Sequence, residues 1–517
     1  MNALAEEKEI GTVISTLEGP SPSYVDFVVN KGVLHRGQFV EIPCSEGVMI
    51  CLVNDVVKTN RYFERADSVK EFESNGTALF EQFPTVEWEY LVAKTRPLGV
   101  FAEDGSTKRP TFPPSPGARV RIAAAASLER FLNFDREAGM LLGEIERHNV
   151  PVMLNLSALL KKHLAILALS GAGKSYFVSV LLEELLERKK QHGRIATIVL
   201  DPHGEYSSFA EPVTDGKHKD YSGKTKLVKA EEIQVGVPKL SVGIVAGIIP
   251  GLSSTQKRDL SRIFGNLRDE MRRGVGPFDL NDLRDAISRD KEIKENTKAP
   301  LIAWIDNLRE MKLFGKTDNP SIPDLIKPGN LTIVDLSNLI DLRKKQVIVS
   351  YFAQRLFYER RNKTVPPFLL VLEEAHQWCP EKAREETAIS RGIIRTIARE
   401  GRKFGACLCL VSQRPVQLDT TALSQCNTHV ILRITNPYDL KHISESSEGL
   451  DSKSVEMITS LRVGEALIVG EATHFPVFFK VRKRKSAESR HEISLEKAAA
   501  DFEQGAEQSR EETEELL

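Results

Sequence analysis

Residues 163–177, HLAILALSGAGKSYF, join a buried strand, a glycine-containing loop and the start of a helix. Phosphate binding needs converging backbone N–H groups, a helix N-terminus, a lysine charge and a hydroxyl for magnesium, and this order supplies all four. The pattern G-x-x-x-x-G-K-[ST] is broken only at its first glycine, where Ala168 stands; that position shapes the entry of the loop and binds no phosphate through a side chain. The stretch therefore predicts a site for ATP and Mg²⁺, with the Ser175 hydroxyl on the metal. The predicted nucleotide contacts are Ser170, Gly171, Ala172, Gly173, Lys174, Ser175 and Tyr176.

The apolar run FLLVL at 368–372 ends in two carboxylates, Glu373 and Glu374. In P-loop enzymes an acid at the end of such a strand holds magnesium through water, and a following glutamate can polarise the attacking water. Glu373 stands where Asp is usual. We expect Glu373 in the metal shell and Glu374 as the catalytic base. The alternative is a strand end with solvated acids.

Two further segments are expected at the same edge of the sheet. VSQRP places Gln413 at the tip of an apolar strand, where its amide can sense the γ-phosphate or orient water; the alternative is a turn residue before Pro415. DPHGEY, at 201–206, follows the strand ATIVL at the edge where open α/β sheets bind ligands. This segment contacts nucleotide or nucleic acid, or it forms an Asx-type turn.

Basic residues recur along SRGIIRTIAREGRKFG, which covers residues 390–405. Arg391, Arg395, Arg399 and Arg402 are spaced four, four and three residues apart, which places them on one face of a helix. Such a stripe can supply an arginine finger to a neighbouring subunit's γ-phosphate or line a channel for DNA phosphates. The alternative is a solvated helix face.

The sequence divides into regions with different patterns. Up to residue 125, short β-rich runs broken by turn residues predict a small antiparallel barrel or sandwich, interpreted as an assembly or docking module at 1–125. Apolar strands alternating with helices over 161–485 predict an α/β core whose parallel sheet is covered on both faces. A helix-patterned segment at 253–316 predicts a helical subdomain inserted into that core. Residues 126–160 are expected to connect the two domains, and 486–517 to form an acidic extension.

Composition excludes several classes of protein. The 517 residues are 28% charged and 41% hydrophobic with a net charge of -1, which is typical of soluble proteins and argues against a free-standing basic nucleic-acid binder. The least polar run, 240–249, is too short for a membrane span, and the N-terminus lacks the pattern of a secretion signal. We therefore expect a cytoplasmic protein with no membrane partner. The six cysteines form no C-x-x-C pair and are interpreted as reduced structural thiols, with zinc or disulfides as the alternatives.

As a set, the P-loop, DPHGEY, the Glu-Glu strand end, GRKFG, VSQRP and LSQCNTHVILRITNPYD at 423–439 resemble the HerA family. This family is the prokaryotic branch of the FtsK-HerA superfamily, and the resemblance covers nearly the whole chain. It implies a RecA-like P-loop NTPase core with an N-terminal small β-barrel. It also implies a hexameric ring that hydrolyses ATP between subunits and moves along duplex DNA through its pore. Its implied partners are a NurA-type nuclease and the recombination-repair end-processing nuclease complex, with which it would act as a helicase or translocase in DNA-end resection.

The resemblance implies roles for individual residues by position. Lys174 and Ser175 hold phosphate and magnesium, Gln413 senses the γ-phosphate, and either Arg399 or Arg402 is a finger that acts in trans. Glu373 is again in the metal shell and Glu374 is again the catalytic base. The N-terminal barrel docks the nuclease, and the C-terminal extension contacts the adjacent subunit.

A ring is also expected on physical grounds. A P-loop site at a protein surface lacks charge neutralisation for the transition state unless an arginine comes in cis or in trans, and an arginine in trans is worth about 10³ to 10⁵ in rate. A few pore residues repeated around a ring also reconcile a neutral overall charge with DNA binding. Two other hypotheses stay open: a superfamily motor in DNA packaging, conjugative coupling or antiviral defence, and a nucleotide-gated scaffold with little hydrolysis.

Overall fold

The structure is a computed structural model whose described parts form two compact units. Met1–Ala158 with Ser447–Arg482 is the barrel unit, and Leu159–Ser446 with Lys483–Leu517 is the sheet unit. The structure describes residues 9–15, 19–30, 32–60, 63, 66–74, 85–102, 106–240, 242–249, 251–383, 387–447, 449–489, 496, 499–500 and 502–503.

Both units contain strands and helices. In chain order the strands are β1 (Glu9–Val13), β2 (Val25–Val29), β3 (Phe39–Cys44), β4 (Gly47–Asn60), β5 (Glu89–Phe101), β6 (Thr107–Lys108), β7 (Arg119–Ile122), β8 (Met140–Ile145), β9 (Val150–Leu154), β10 (Leu164–Leu167), β11 (Ala196–Asp201), β12 (Thr225–Lys229), β13 (Val235–Gly236), β14 (Phe314–Gly315), β15 (Leu331–Asp335), β16 (Phe368–Leu372), β17 (Ala406–Ser412), β18 (Thr428–Ile431), β19 (Glu465–Gly470) and β20 (Val477–Val481). The α-helices are α1 (Ala66–Glu73), α2 (Ala125–Phe131), α3 (Leu156–Leu160), α4 (Lys174–Glu187), α5 (Val242–Ile248), α6 (Ser254–Glu270), α7 (Leu280–Arg289), α8 (Glu295–Glu310), α9 (Ile322–Leu325), α10 (Leu342–Arg361), α11 (Ala375–Trp378), α12 (Arg391–Glu400), α13 (Thr420–Ser424), α14 (Pro437–Ser446) and α15 (Ser452–Thr459).

The barrel unit begins with a closed antiparallel barrel. Its strands pair in the order β2-β1-β7-β3-β4-β5, β2 pairs with β5 to close the ring, and β6 adds to β5. Side chains such as Phe27, Val40, Ile42 and Met49 fill the interior and are fully buried. Gly11 is needed where β1 crosses β2, because a Cβ there would lie 2.6 Å from the Phe27 ring. The predicted barrel is confirmed, and closure leaves no exposed strand edge in the ring.

A smaller antiparallel sheet completes the barrel unit. β8 pairs with β9 and with β20, and β20 pairs with β19. Phe131 of α2 stacks on Phe475 between β19 and β20, with ring centroids 4.5 Å apart, and meets Phe101 of β5 edge to face at 5.5 Å. These rings pack the small sheet against the barrel.

The boundaries between the two compact units lie at other residues than the sequence patterns suggested. Residues 126–158, expected as a connector, and 447–482, expected in the core, both belong to the barrel unit. The physical reason is the pairing of β20 with β8, because two strands far apart in sequence form one sheet and no local pattern records such a contact.

The sheet unit is built on a parallel sheet with the strand order β12-β15-β11-β16-β17-β10-β18. β10, β16 and β17 are buried along their whole length, which is why their sequences are continuous apolar runs. Because the strands are parallel, their C-terminal ends lie at one side of the sheet, the carboxyl edge, and their starts at the other, the amino edge. The predicted α/β core with a parallel sheet is confirmed.

The segment 253–316 contains α6, α7 and α8. Capping boxes start two of these helices, one formed by Ser253 and Gln256 before α6 and the other by Asp279 and Asp282 before α7. The expected acidic extension lies mostly outside the described residues. None of the helices in the described ranges has both the length and the apolar character that a membrane span requires.

Candidate nucleotide-binding site

Four segments meet at the carboxyl edge of the parallel sheet. The P-loop follows β10, residues 201–206 span the end of β11 and the loop after it, the acidic pair follows β16, and Gln413 follows β17. Since β17 lies between β10 and β16, Gln413 emerges between the P-loop and the acids. Open parallel sheets bind ligands at this edge, so the strand order brings the predicted residues together.

The P-loop has the backbone that its sequence predicts. Gly171 and Gly173 have φ of 74° and 97°, where side chains are strained, and Gly173 caps α4 directly before Lys174. Ala168 is buried, and its N–H donates to the Ser412 carbonyl at 3.2 Å, a backbone bond that alanine makes as well as glycine. The departure from the usual pattern therefore leaves the loop and the helix N-terminus in a form suited to phosphate.

Lys174 is held by the acidic pair. Its Nζ donates to Oε2 of Glu373 and to Oε1 of Glu374, each at 2.8 Å, and all three side chains are buried. Burial alone would lower the pKa of Lys174, but the two carboxylates outweigh it and raise that pKa. Burial raises the pKa of Glu373, whereas Lys174 and Gln413 outweigh burial and lower the pKa of Glu374. Lys174 stabilises both carboxylates, and its ammonium can exchange them for the phosphate oxygens of a nucleotide.

Glu374 is fixed by contacts on both carboxylate oxygens. Gln413 Nε2 donates to its Oε1 at 2.5 Å, and His376 Nδ1 lies 3.3 Å from its Oε2 and 3.1 Å from Ser412 Oγ. The Glu374 backbone has φ 50°, a left-handed conformation that costs about 1 to 3 kcal/mol for a residue other than glycine. Sequence reasoning missed His376, although a polar ring three residues after the first acid of the pair is visible in the sequence.

The DPHGEY segment forms an Asx-type turn and also reaches the site. Both oxygens of Asp201 accept backbone N–H bonds, from His203 at 3.1 Å, Gly204 at 2.9 Å and Tyr206 at 3.1 Å. The Ser175 hydroxyl donates to Glu205, and the Tyr206 hydroxyl donates to Glu373. The Asx-type turn is therefore present, and it directs the two side chains toward Ser175 and Glu373. A contact with nucleotide or nucleic acid stays a prediction.

Tyr176, predicted as a nucleotide contact, meets the C-terminal part of the sheet unit. Its hydroxyl accepts from the Arg484 backbone N–H at 2.7 Å, and the Arg484 guanidinium lies over the ring at 5.9 Å. Farther along α4, Oε1 of the buried Glu183 accepts from the backbone N–H groups of Lys485 and Ser486, each at 2.7 Å. The helix that starts at the P-loop is thus bonded along one side to the segment 483–489.

Two of the four arginines whose spacing predicted one basic helix face are bonded within the sheet unit. Arg395 is bonded to the buried Asp419, and Arg391 donates to the Pro380 carbonyl at 3.4 Å. Arg399 and Arg402 are exposed and precede β17, so they lie at the amino edge. The length of β17, at about 3.3 Å per residue, separates them from the acidic pair of their own subunit by roughly 20 Å.

Comparisons with known proteins show which family the chain resembles. The family model described as the central domain of helicase HerA matches residues 138–356. A probable helicase of Methanocaldococcus jannaschii is 30% identical over 481 residues, which cover 86% of this chain and 86% of the relative. The DNA double-strand break repair helicase HerA of Pyrococcus furiosus is 30% identical over 76% of this chain and 78% of its own length.

The chain belongs to the HerA helicase family.

Its core therefore has the predicted RecA-like P-loop fold. The solved structure of VirB4 from Thermoanaerobacter pseudethanolicus, 15% identical, shares this fold with a TM-score of 0.50 over 68% of this chain and 97% of that one. As a HerA-family P-loop protein the chain binds nucleotide and is an ATPase of the helicase class.

The donors at the site of this HerA protein fit magnesium. Within the described residues, no group of three or more His, Cys, Asp or Glu side chains is arranged to hold a metal by itself. Magnesium usually takes one or two carboxylates and completes its shell with substrate phosphates and water. The Ser175 hydroxyl and the carboxylate of Glu373 supply hard oxygen donors beside the P-loop, which is the chemistry that this ion prefers.

Proposed function

We propose that this chain is an ATP-driven DNA translocase and helicase that works as a hexameric ring on duplex DNA ends in the cytoplasm. We further propose that it is coupled to a NurA-type nuclease, within the end-processing nuclease complex of recombination repair, for DNA-end resection. The observation that carries the proposal is the convergence of Lys174, Glu374 and Gln413 at the carboxyl edge. A site that only binds nucleotide has no need of a buried, oriented carboxylate beside an amide.

The contacts support specific tasks in ATP hydrolysis. The N–H groups of the P-loop and the Lys174 ammonium bind the β- and γ-phosphates, and Lys174 then exchanges its carboxylate partners for phosphate oxygens. Glu374, released from Lys174 and still beside Gln413, accepts the proton of the attacking water. Ser175 and Glu373 would hold magnesium, which when bound would neutralise charge on the phosphate oxygens.

The positions of the arginines support a ring. Arg399 and Arg402 are exposed at the amino edge, too far from the carboxyl edge of their own subunit to reach its γ-phosphate. An exposed arginine at that edge can reach the carboxyl edge of the next copy in a closed ring, where it would neutralise transition-state charge. One of the two is the proposed finger in trans.

The proposal for the substrate rests on named relatives. The Pyrococcus furiosus relative and others of similar identity carry the name DNA double-strand break repair helicase. With a net charge of -1, this chain has no overall attraction for DNA, so contact with phosphates must be concentrated locally, as in a pore. The barrel at 1–125 is the proposed nuclease-docking module, and 486–517 the proposed contact with the adjacent subunit.

Steady-state hydrolysis tests this function. Glu374→Gln keeps size and hydrogen bonding but cannot accept a proton, and we expect a loss of turnover of about 10² to 10⁴ with retained ATP binding. Linear duplex DNA is expected to raise wild-type turnover, and this stimulation should fade as salt screens the phosphates. Glu310→Gln, at an exposed position on α8, is the matched control.

The other hypotheses are outcomes of the same experiment. Wild-type turnover that is negligible under all conditions would favour a nucleotide-gated scaffold. Turnover that is present but indifferent to DNA would favour a motor acting on another substrate, such as one used in packaging or antiviral defence.

A further inference from the structure

The DPHGEY segment holds both residues that the proposed function assigns to magnesium. Glu205 accepts a hydrogen bond from the Ser175 hydroxyl, and the next residue, Tyr206, donates its hydroxyl to Oε1 of Glu373. Two consecutive side chains from the loop after β11 thus bond to the two proposed magnesium ligands, Ser175 at the start of α4 and Glu373 just after β16. A loop that served only to connect strands would have no need to bond both.

The hydroxyl of Ser175 has one proton and two lone pairs. When it donates its proton to a carboxylate, its lone pairs are free to face a cation. When no acceptor is present, the proton can rotate toward the cation and weaken the contact. The acceptor in this structure is Glu205, while Glu373 is bonded to Lys174 and Tyr206.

The loop is built so that these contacts are fixed before any ligand binds. Three backbone N–H groups bond to Asp201, and Gly204 has φ of 76°, which lets the chain turn back toward α4. Tyr206 is fully buried, and its contact with Glu373 gives the hydroxyl the partner that a buried group requires.

We propose that Glu205 is a positioning residue of the magnesium site, whose carboxylate accepts a hydrogen bond from the Ser175 hydroxyl and so turns the hydroxyl lone pairs toward the metal. This inference rests on the proposed function, because it assumes that Ser175 and Glu373 receive magnesium with a nucleotide. Tyr206 has the parallel task of holding one oxygen of Glu373 in place. Glu205 itself acts through Ser175 and is not assigned to the reacting atoms.

Binding measurements on the full-length protein test this role without relying on turnover. ADP affinity is measured by calorimetry over a magnesium titration and in EDTA, for wild type, Glu205→Ala, Glu205→Gln and the exposed control Glu211→Ala. We expect Glu205→Ala to raise the half-saturating magnesium concentration about 10- to 100-fold, the usual effect of losing a residue that orients a metal ligand. Its ADP affinity in EDTA should stay within about twofold of wild type, because the P-loop phosphate contacts do not involve Glu205.

The conservative variant separates orientation from charge. The side-chain carbonyl of Glu205→Gln can accept the hydrogen bond from the Ser175 hydroxyl, so we expect its magnesium dependence to lie within about threefold of wild type. Equal losses in the glutamine and alanine variants would overturn the proposal, since they would indicate that the negative charge matters and not the hydrogen bond. Unchanged magnesium dependence in Glu205→Ala would overturn it as well.

The magnesium dependence of wild type distinguishes a failure of the proposed magnesium site from a failure of the proposed role of Glu205. If the unmutated protein binds ADP equally well with and without magnesium, the proposed magnesium role of Ser175 and Glu373 fails. If wild type depends on magnesium and Glu205→Ala depends on it to the same degree, only the positioning role fails.

Discussion

The two edges of the parallel sheet bury polar side chains in different ways. At the amino edge, the buried His163 accepts from the Leu408 N–H at Nδ1 and donates to the Ala398 carbonyl at Nε2, with distances of 2.9 and 3.0 Å. At the carboxyl edge, buried Lys174 is bonded to Glu373 and Glu374, and each of these groups is an ionisable side chain. The first arrangement joins a side chain to the backbone and fixes structure. The second joins charges to one another and can be rearranged by an incoming ligand.

The exposed arginines extend this comparison. Arg414 follows Gln413 at the carboxyl edge, whereas Arg399 and Arg402 are at the amino edge. An arginine at the carboxyl edge can act only on its own site or on a ligand there, but an arginine at the amino edge needs a second subunit to reach a nucleotide. The two edges therefore make opposite predictions for mixtures of variants.

The largest effect is expected from removing the finger that acts in trans. Arg399→Ala and Arg402→Ala are predicted to leave ADP affinity unchanged, while one of them lowers the hydrolysis rate about 10³- to 10⁵-fold. Mixing that variant with Glu374→Gln should restore part of the rate, because an intact site then faces an intact arginine from the neighbouring subunit. The measurement is steady-state turnover as a function of the mixing ratio, with Arg273→Ala, at an exposed position between α6 and α7, as control.

A different result would assign the arginine finger to Arg414 at the carboxyl edge. If Arg414→Ala abolishes hydrolysis and mixing with Glu374→Gln does not restore it, the arginine acts in cis and the amino edge has no part in turnover.

The next largest effect concerns the buried charges of the carboxyl edge. Lys174→Met leaves Glu373 and Glu374 buried without their cation, and breaking such a group is expected to lower the free energy of unfolding by about 3 to 5 kcal/mol. The measurement is denaturant unfolding of the nucleotide-free protein. Lys189→Met, at an exposed position just beyond α4, is the control and should change stability little.

A double variant sharpens this test. Adding Glu374→Gln to Lys174→Met removes one of the two like charges and should recover part of the lost stability. If Lys174→Met alone is as stable as wild type, Glu373 and Glu374 take up protons at no cost when the lysine is removed. The charges of the carboxyl edge would then add no stability, and the contrast with the amino edge would be lost.

Much of the site could be predicted because its polar residues come after apolar strands. Lys174, Glu373 and Gln413 each follow a run of buried residues, and such runs place polar side chains at a sheet edge. The order of the strands could not be predicted, since parallel pairing joins residues far apart in sequence. Without the strand order, the hydrogen bond between Gln413 and Glu374 could not be predicted.

The contacts that the sequence patterns did not anticipate share one physical cause. Helical spacing placed Arg395 on a basic face, yet its partner Asp419 comes from a later loop that periodicity does not describe. The segment 447–482 was expected in the core because the pairing of its strand β20 with β8 joins residues far apart in sequence. Glu205 was expected only as part of a segment that contacts nucleotide or nucleic acid or forms an Asx-type turn, since its bond to Ser175 depends on how β11 and β10 are arranged.

The smallest effect is a pH dependence at the amino edge. Burial lowers the pKa of His163 to about 4, whereas an unfolded histidine titrates near 6.5. Below pH 6.5 the unfolded state binds a proton that the folded state refuses, so stability falls with decreasing pH until the folded histidine titrates as well. Between pH 7.5 and pH 5 this contributes a loss of about 2 kcal/mol in wild type that His163→Gln should lack.

The comparison of slopes isolates His163 from other groups. Burial also lowers the pKa of His148 and His429 to about 4, but both are present in the two proteins and cancel in the difference. The measurement is denaturant unfolding at several pH values, with the exposed His474→Gln as control. Equal slopes for wild type and His163→Gln would mean that His163 binds its proton while folded, which would break one of the two backbone bonds at the amino edge and remove the contrast with the carboxyl edge.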